Sequence, residues 1–251
     1  MVFRWFGENN DTVSLDQIRQ IPGVEGIVWA LHDVPVGEEW PTDRIEAICR
    51  SAERYGLHTE VVESVNVHED IKLGLPSRDR YIENYIRTIE KLAQVGVKVI
   101  CYNFMPVFDW VRTDLYRPLA DGSTAMFFEQ DKIRDIDPFE LVRLINQNEG
   151  LTMPGWEPER LAHLTSLFEA YRQVSEEDLW RNLGYFLDAV IPVAERNGIR
   201  MAIHPDDPPW PIFGLPRIIT SQANLRRFLA LHDSPYNGIT FCSGSLGANP
   251  A

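Results

Sequence analysis

The sequence predicts an α/β fold of the (β/α)8 TIM-barrel type, on three observations. Short apolar runs rich in β-branched residues recur along the chain, amphipathic helical stretches ending at glycine separate them, and polar or aromatic residues collect where each run stops. The repeated order helix, glycine, apolar strand, polar loop marks βα units, whose right-handed crossovers give a parallel sheet with helices outside.

The apolar runs occupy residues 2–6, 26–33, 57–64, 97–104, 199–204 and 238–242. Runs this short and this apolar are those of strands buried on both faces. Helices are expected over 42–55, 80–95 and 176–197, followed by Gly56, Gly96 and Gly198, the residue type that closes a helix in the left-handed conformation. Residues 107–175 read as a partly helical insertion after the fourth strand, punctuated by Asp121-Gly122 and Pro154-Gly155. Insertions at that end of a barrel commonly cover the active site. Residues 244–251 read as a loop. The count stops at six strands, whereas a closed barrel has eight. The expectation is therefore one barrel domain over 1–251, incomplete at its C-terminus, with about six of the eight strands present and two further βα units beyond Ala251.

Composition narrows the class. At 44% hydrophobic and 24% charged the chain can build a core. A formal net charge of −13 argues against nucleic acid and against an anionic membrane surface, since both are bound through Lys and Arg. An acidic substrate would then need a local cation, and a metal ion is one solution. No stretch approaches the ~20 apolar residues of a membrane span, and the start of the chain has no signal-peptide pattern. Cys49, Cys101 and Cys242 are too few and too scattered for a disulfide framework, which fits a reducing, cytoplasmic setting. There is no G-x-x-x-x-G-K-[ST], no G-x-G-x-x-G and no G-x-S-x-G, so neither nucleotide binding nor a serine elbow has support.

Barrel active sites are built at the carboxyl ends of the strands, which directs attention to a short set of residues. Strand ends carry Arg4 and Trp5, His32 and Asp33, Glu63, Asn103, His204 with Asp206 and Asp207, and Cys242; His68, Glu69 and Lys72 follow the third strand. His204 and Cys242 close adjacent strands, and imidazole with thiolate suits a divalent transition metal. The structural alternative makes His204 a core hydrogen-bonder and Cys242 a small buried apolar residue. His32 and His68 could hydrogen-bond a ligand or shuttle a proton, or be satisfied structural histidines. Arg4 and Lys72 could hold a substrate carboxylate, or be solvated surface charges. Asp206 and Asp207 could orient hydroxyls, or make the turn before Pro208-Pro209. Asn103 could bond a ligand or cap its loop. His58, His163 and His232 read as structural.

At these residues the sequence resembles the mannonate dehydratase family along essentially its whole length. The resemblance lies in Arg4-Trp-Phe-Gly7, Ala30-Leu-His32, Val62-Glu-Ser64, His68-Glu-Asp-Ile-Lys72, Cys101-Tyr-Asn-Phe-Met-Pro106, Asp109-Trp-Val-Arg-Thr-Asp114, Ile203-His-Pro-Asp-Asp-Pro-Pro209, Gly214-Leu-Pro-Arg217 and Cys242-Ser-Gly-Ser245. It implies a xylose-isomerase-like barrel and conversion of D-mannonate to 2-dehydro-3-deoxy-D-gluconate. It further implies Mn2+ or Fe2+ bound by His204 and Cys242. Substrate contacts are expected from Arg4, Trp5, His32, His68, Lys72, Asn103 and Asp206. The family also draws a histidine and an aspartate from the last third of its chain, past Ala251, so the general acid and base stay unassigned. A homo-oligomer, a dimer, is the expected assembly. Competing readings are a sugar isomerase or epimerase on the same barrel, a zinc-type barrel endonuclease, disfavoured by the acidic balance, and an inactive fragment.

Overall fold

A computed structural model describes residues 1–8, 10–134, 136 and 158–248. Six parallel strands form one sheet in the order β1 (Val2–Arg4), β2 (Gly26–Trp29), β3 (His58–Glu63), β4 (Val99–Tyr102), β7 (Arg200–Ile203), β8 (Asn237–Ile239). The spatial order follows the chain order without reversal. That is the winding of a barrel, whereas a doubly wound sheet reverses at a switch point. Among the described residues β1 and β8 remain the two edges of the sheet.

All six strands lie inside the expected runs or overlap them, and all are shorter. The main helices are α2 (Thr42–Glu53), α4 (Arg78–Gln94) and α6 (Glu176–Arg196), close to their expected limits. Ser175 caps α6 reciprocally with Asp178, a capping box. Elements the sequence reading did not resolve are the short α1 (Leu15–Ile18) and α3 (Glu69–Leu73) and the crossover helix α7 (Gln222–Leu231). Residues 244–247, expected as loop, contribute to a single helical turn, α8 (Ser243–Leu246). Within 107–175 the structure adds an antiparallel hairpin, β5 (Asp114–Pro118) with β6 (Thr124–Phe127), and α5 (Pro158–Tyr171). Positions 135 and 137–157 of that segment, with the Pro154-Gly155 turn, lie outside the described residues. No described helix is long and apolar enough to cross a membrane.

The pleat sorts the strand residues into two rows. Trp29, Val62, Ile100, Tyr102 and Ile203 face the helix layer, each 1% exposed or less. There Phe186 of α6 packs edge-on against Tyr85 of α4 at 5.0 Å and lies 5.9 Å from Tyr102. Register pairs Arg4 with Val28, Val28 with Val61, Glu63 with Cys101 and Cys101 with Ala202. These residues form the opposite, inner row. Ala202 pairs with Gly238 in the same row; His204 and Thr240 follow just past the ends of β7 and β8, and Cys242 stands at the N-cap of α8.

Close packing at β2 gives a stability prediction. A Cβ on Gly26 would lie 2.7 Å from the His58 carbonyl oxygen, in backbone that cannot swing away, whereas on Gly238 it would meet nothing nearer than 3.7 Å. Gly26→Ala is expected to lower stability by ~1–3 kcal/mol, the usual cost of forced overpacking, and Gly238→Ala to be neutral or better. Urea unfolding checks both; equal midpoints for the two variants would contradict the close approach.

Candidate functional site

The inner row opens onto a cavity of about 1370 Å3 at the carboxyl ends of the strands, larger than the roughly 300–1,000 Å3 of common small-molecule sites. Its wall includes Arg4, His32, Glu63, His68, Asn103 and His204, and the β5–β6 hairpin borders it with Tyr116 and Met126. Arg4 donates through Nη1 to the Glu63 carbonyl, and its Nη2 lies 3.5 Å from His32 Nε2. Partial burial and then the Arg4 charge push the His32 imidazole below its ordinary value, with Asp33 opposing. Beside it, Cys101 receives the Thr240 hydroxyl at 3.1 Å. Burial, then the Glu63 charge, push that thiol up to about 12, so Cys101 stays a neutral core thiol.

His68 caps α3 through its ring: Nδ1 accepts the Asp70 N–H at 3.1 Å, and the ring stacks on Tyr81 at 3.6 Å. Burial is the largest influence on it and lowers its proton affinity, while Asp70 and Glu69 raise it and Lys72 lowers it. Asn103 turns its Oδ1 to the Met105 N–H at 3.2 Å. Across the cavity, Arg112 grips Asp207 with two bonds of 2.9 and 2.7 Å and donates to the Val111 carbonyl at 2.8 Å. Both side chains line the cavity. This pair ties the segment after β4 to the loop after β7.

His204 sits opposite Thr240. Its N–H donates to the Tyr102 carbonyl at 2.7 Å and Thr240 N–H donates to the Ile203 carbonyl at 2.9 Å. His204 Nδ1 lies 2.7 Å from the Pro205 carbonyl, an acceptor to which a ring N–H donates. Cys242 is half-buried at the start of α8, where its sulfur accepts from Ser245 N–H at 3.5 Å and Ser245 Oγ at 3.2 Å. His204 belongs to the cavity wall; Cys242 does not.

Three expected substrate contacts fall elsewhere. Trp5 follows Arg4 and therefore points to the other side of the sheet, where it is 3% exposed in the core. Lys72 is 1% exposed, and its ammonium is held by Glu69 at 2.8 Å and the Met105 carbonyl at 2.7 Å. Asp206 is likewise buried, with Oδ2 accepting the N–H groups of Ile218 and Ile219 at 2.7 and 2.9 Å. Burial raises its carboxyl, opposed first by Arg217. Its neighbour Asp207 is the one that reaches the cavity. Arg112, to which the sequence reading assigned no role, sits in the inserted segment, where the strand-end rule gives no signal.

A sequentially wound parallel sheet whose inner row converges Arg, His and carboxylate groups on one cavity is that of a barrel-type α/β enzyme acting on a polar small molecule. The chain belongs to the mannonate dehydratase family: residues 1–251 match the family described as D-mannonate dehydratase (UxuA). It is 68% identical over 250 residues to mannonate dehydratase 1 of Bacillus licheniformis, covering 100% of this chain and 68% of that protein. Against the mannonate dehydratase of Bacillus subtilis it is 62% identical over 251 residues, covering 100% of this chain and 70% of that one. Among solved structures, mannonate dehydratase from Streptococcus suis serotype2 superposes with a TM-score of 0.87 at 48% identity, covering 100% of this chain and 66% of that one. The chain thus spans about two thirds of the length of these relatives.

The two cavity histidines make stability depend on pH. Both have folded-state proton affinities below the ordinary 6.5, so the unfolded chain takes up their protons first. Their contribution is complete above ~6.5 and is lost as pH falls below it towards the folded values, before carboxylates titrate near 4. The urea midpoint should fall between pH 7 and 5.5, and His68→Gln should flatten that fall. A midpoint that is level across this range would contradict the assignment.

Proposed function

We propose that the chain dehydrates D-mannonate to 2-dehydro-3-deoxy-D-gluconate, a step of hexuronate (glucuronate) catabolism, with Mn2+ or Fe2+ as the resident metal and His204 and Cys242 among its ligands. What supports the metal reading is His204 on the cavity wall just past β7, its Nδ1 bonded to the Pro205 carbonyl, with Cys242 following the neighbouring strand β8. A hydrogen bond at one ring nitrogen sets the tautomer and aims the other, which is how metal-bound histidines are oriented. The Cys242 sulfur accepts from the Ser245 N–H and hydroxyl, which orient it at the start of α8. Nitrogen and sulfur together suit a borderline transition ion better than magnesium or calcium.

The proton next to a carboxylate is weakly acidic, because its loss puts a second negative charge beside the first. The bound metal supplies the positive charge that offsets this. Arg4 and Arg112 supply fixed cations at the cavity wall, which answers the problem of an anionic substrate on a chain of net charge −13. His32 and His68, both held neutral near pH 7, donate to or accept from sugar hydroxyls. Asn103 adds a neutral polar group. The three free thiols suit a reducing cytoplasm, and a homodimer remains part of the proposal.

The test is turnover of D-mannonate against a panel of keto-sugars. Mannonate is expected to be consumed, with activity lost on chelation and restored by Mn2+ or Fe2+ with reductant. His204→Ala and Cys242→Ser should each lose more than the roughly 10–100-fold that outer-shell partners of a metal cost, with metal content falling in parallel. Turnover of a keto-sugar but not of mannonate, or full mannonate activity after exhaustive chelation, would overturn the reading.

A further inference from the structure

Buried polar side chains around α3 form one network. Lys72 Nζ bridges Glu69 Oε1 and the Met105 carbonyl, while Glu69 Oε2 accepts Tyr171 OH at 2.5 Å and Val107 N–H at 3.3 Å. Asn182 of α6 donates to the Lys72 carbonyl at 2.8 Å. Glu69, Lys72, Tyr171 and Asn182 are all buried. Such a network adds little net stability over apolar packing of the same volume, but it fixes geometry across four pieces of chain: α3, the segment after β4, α5 and α6.

Two of the groups it holds belong to the cavity wall. One is Met105. The other is His68, the residue before Glu69, whose ring is boxed on three sides. Tyr81 stacks on its face at an interplanar angle of 13°. The Asp70 N–H occupies Nδ1. A Cβ on Gly37, whose φ is +88°, would come within 2.8 Å of His68 Cδ2 and 2.5 Å of Tyr81 Cδ1. With Nδ1 accepting, the proton of the neutral ring rests on Nε2.

We propose that the Tyr171–Glu69–Lys72 network is a positioning device for the reaction: it holds the first turn of α3 so that His68 offers Nε2–H to a hydroxyl of the bound sugar acid. The inference rests on the sugar-acid reading above. It makes Tyr171 of the inserted segment, which has no place in the cavity wall, a determinant of substrate affinity. The charged and aromatic neighbours of His68 are Glu38, Glu69, Asp70, Lys72 and Tyr81. Glu69 and Lys72 act on it with opposite sign, so the paired network leaves the ring neutral while fixing its place.

A double-mutant cycle on the metal-loaded protein tests this, with D-mannonate as the probe. Tyr171→Phe removes one hydroxyl and should raise KM roughly 3–10-fold, the range of one net hydrogen bond, with kcat within about twofold. In a His68→Gln background the same substitution should change KM no further, because residues acting through one another are not additive. Glu69→Gln run through the same cycle serves if Tyr171→Phe fails to fold. Equal effects with and without His68, or a lowered melting temperature at unchanged KM, would overturn the positioning role. A wild-type protein inactive towards mannonate would instead sink the sugar-acid reading beneath it.

Discussion

The constraint on which the rest depends is the register of the parallel ladder from β4 through β7 to β8. Side chains alternate along a strand, so a slip of one residue exchanges the two faces of the sheet. In the observed register Tyr102 and Ile203 are buried against the helices, and His204 comes to the cavity wall. Fully burying a large apolar side chain is worth about 1.5–3 kcal/mol. Turning this outer row to the inside would therefore lose several such contributions and bury His204 among apolar helices. The bonds from His204 N–H to Tyr102 and from Thr240 N–H to Ile203 hold the register at the point where the strands end. Packing on one side of the sheet thus decides the chemistry presented on the other.

Charge is organised at a second level. The cavity of this acidic chain has its own cations, and neither Arg4 nor Arg112 is loose. Arg4 is held by the Glu63 carbonyl, and Arg112 by both oxygens of Asp207. A bidentate arginine–carboxylate pair is directional, so the Arg112–Asp207 clamp sets where the inserted segment meets the barrel as well as where its charge sits.

How far the sequence could be read follows from these two levels. Strand and helix order were legible, because apolar runs and glycine stops repeat with each βα unit, and the six strands appear in that order. His204 was legible as a cavity residue because a strand end in a barrel is a site position by topology. The errors came one residue apart. Trp5 beside Arg4 and Asp206 beside Asp207 show that a strand-end rule names the neighbourhood, while the pleat or a local turn chooses which of two neighbours reaches the cavity. Lys72 was read as a substrate contact because it follows the third strand and a cation can pair with a carboxylate. Its partner Glu69 lies three residues back on α3, a helix too short to show periodicity in sequence. Arg112 and Tyr171 belong to the inserted segment, whose contacts are long-range and leave no local pattern.

The most direct test of the central proposal, that His204 and Cys242 hold one ion, is optical absorption of the cobalt(II)-substituted protein. A thiolate bound to cobalt(II) gives a sulfur-to-metal charge-transfer band that oxygen and nitrogen ligands do not. The account predicts this band in the wild type, its disappearance in Cys242→Ser with cobalt still bound through the remaining ligands, and weakened cobalt affinity in His204→Ala. A cobalt-loaded protein without the band, or one whose band survives Cys242→Ser, would contradict it.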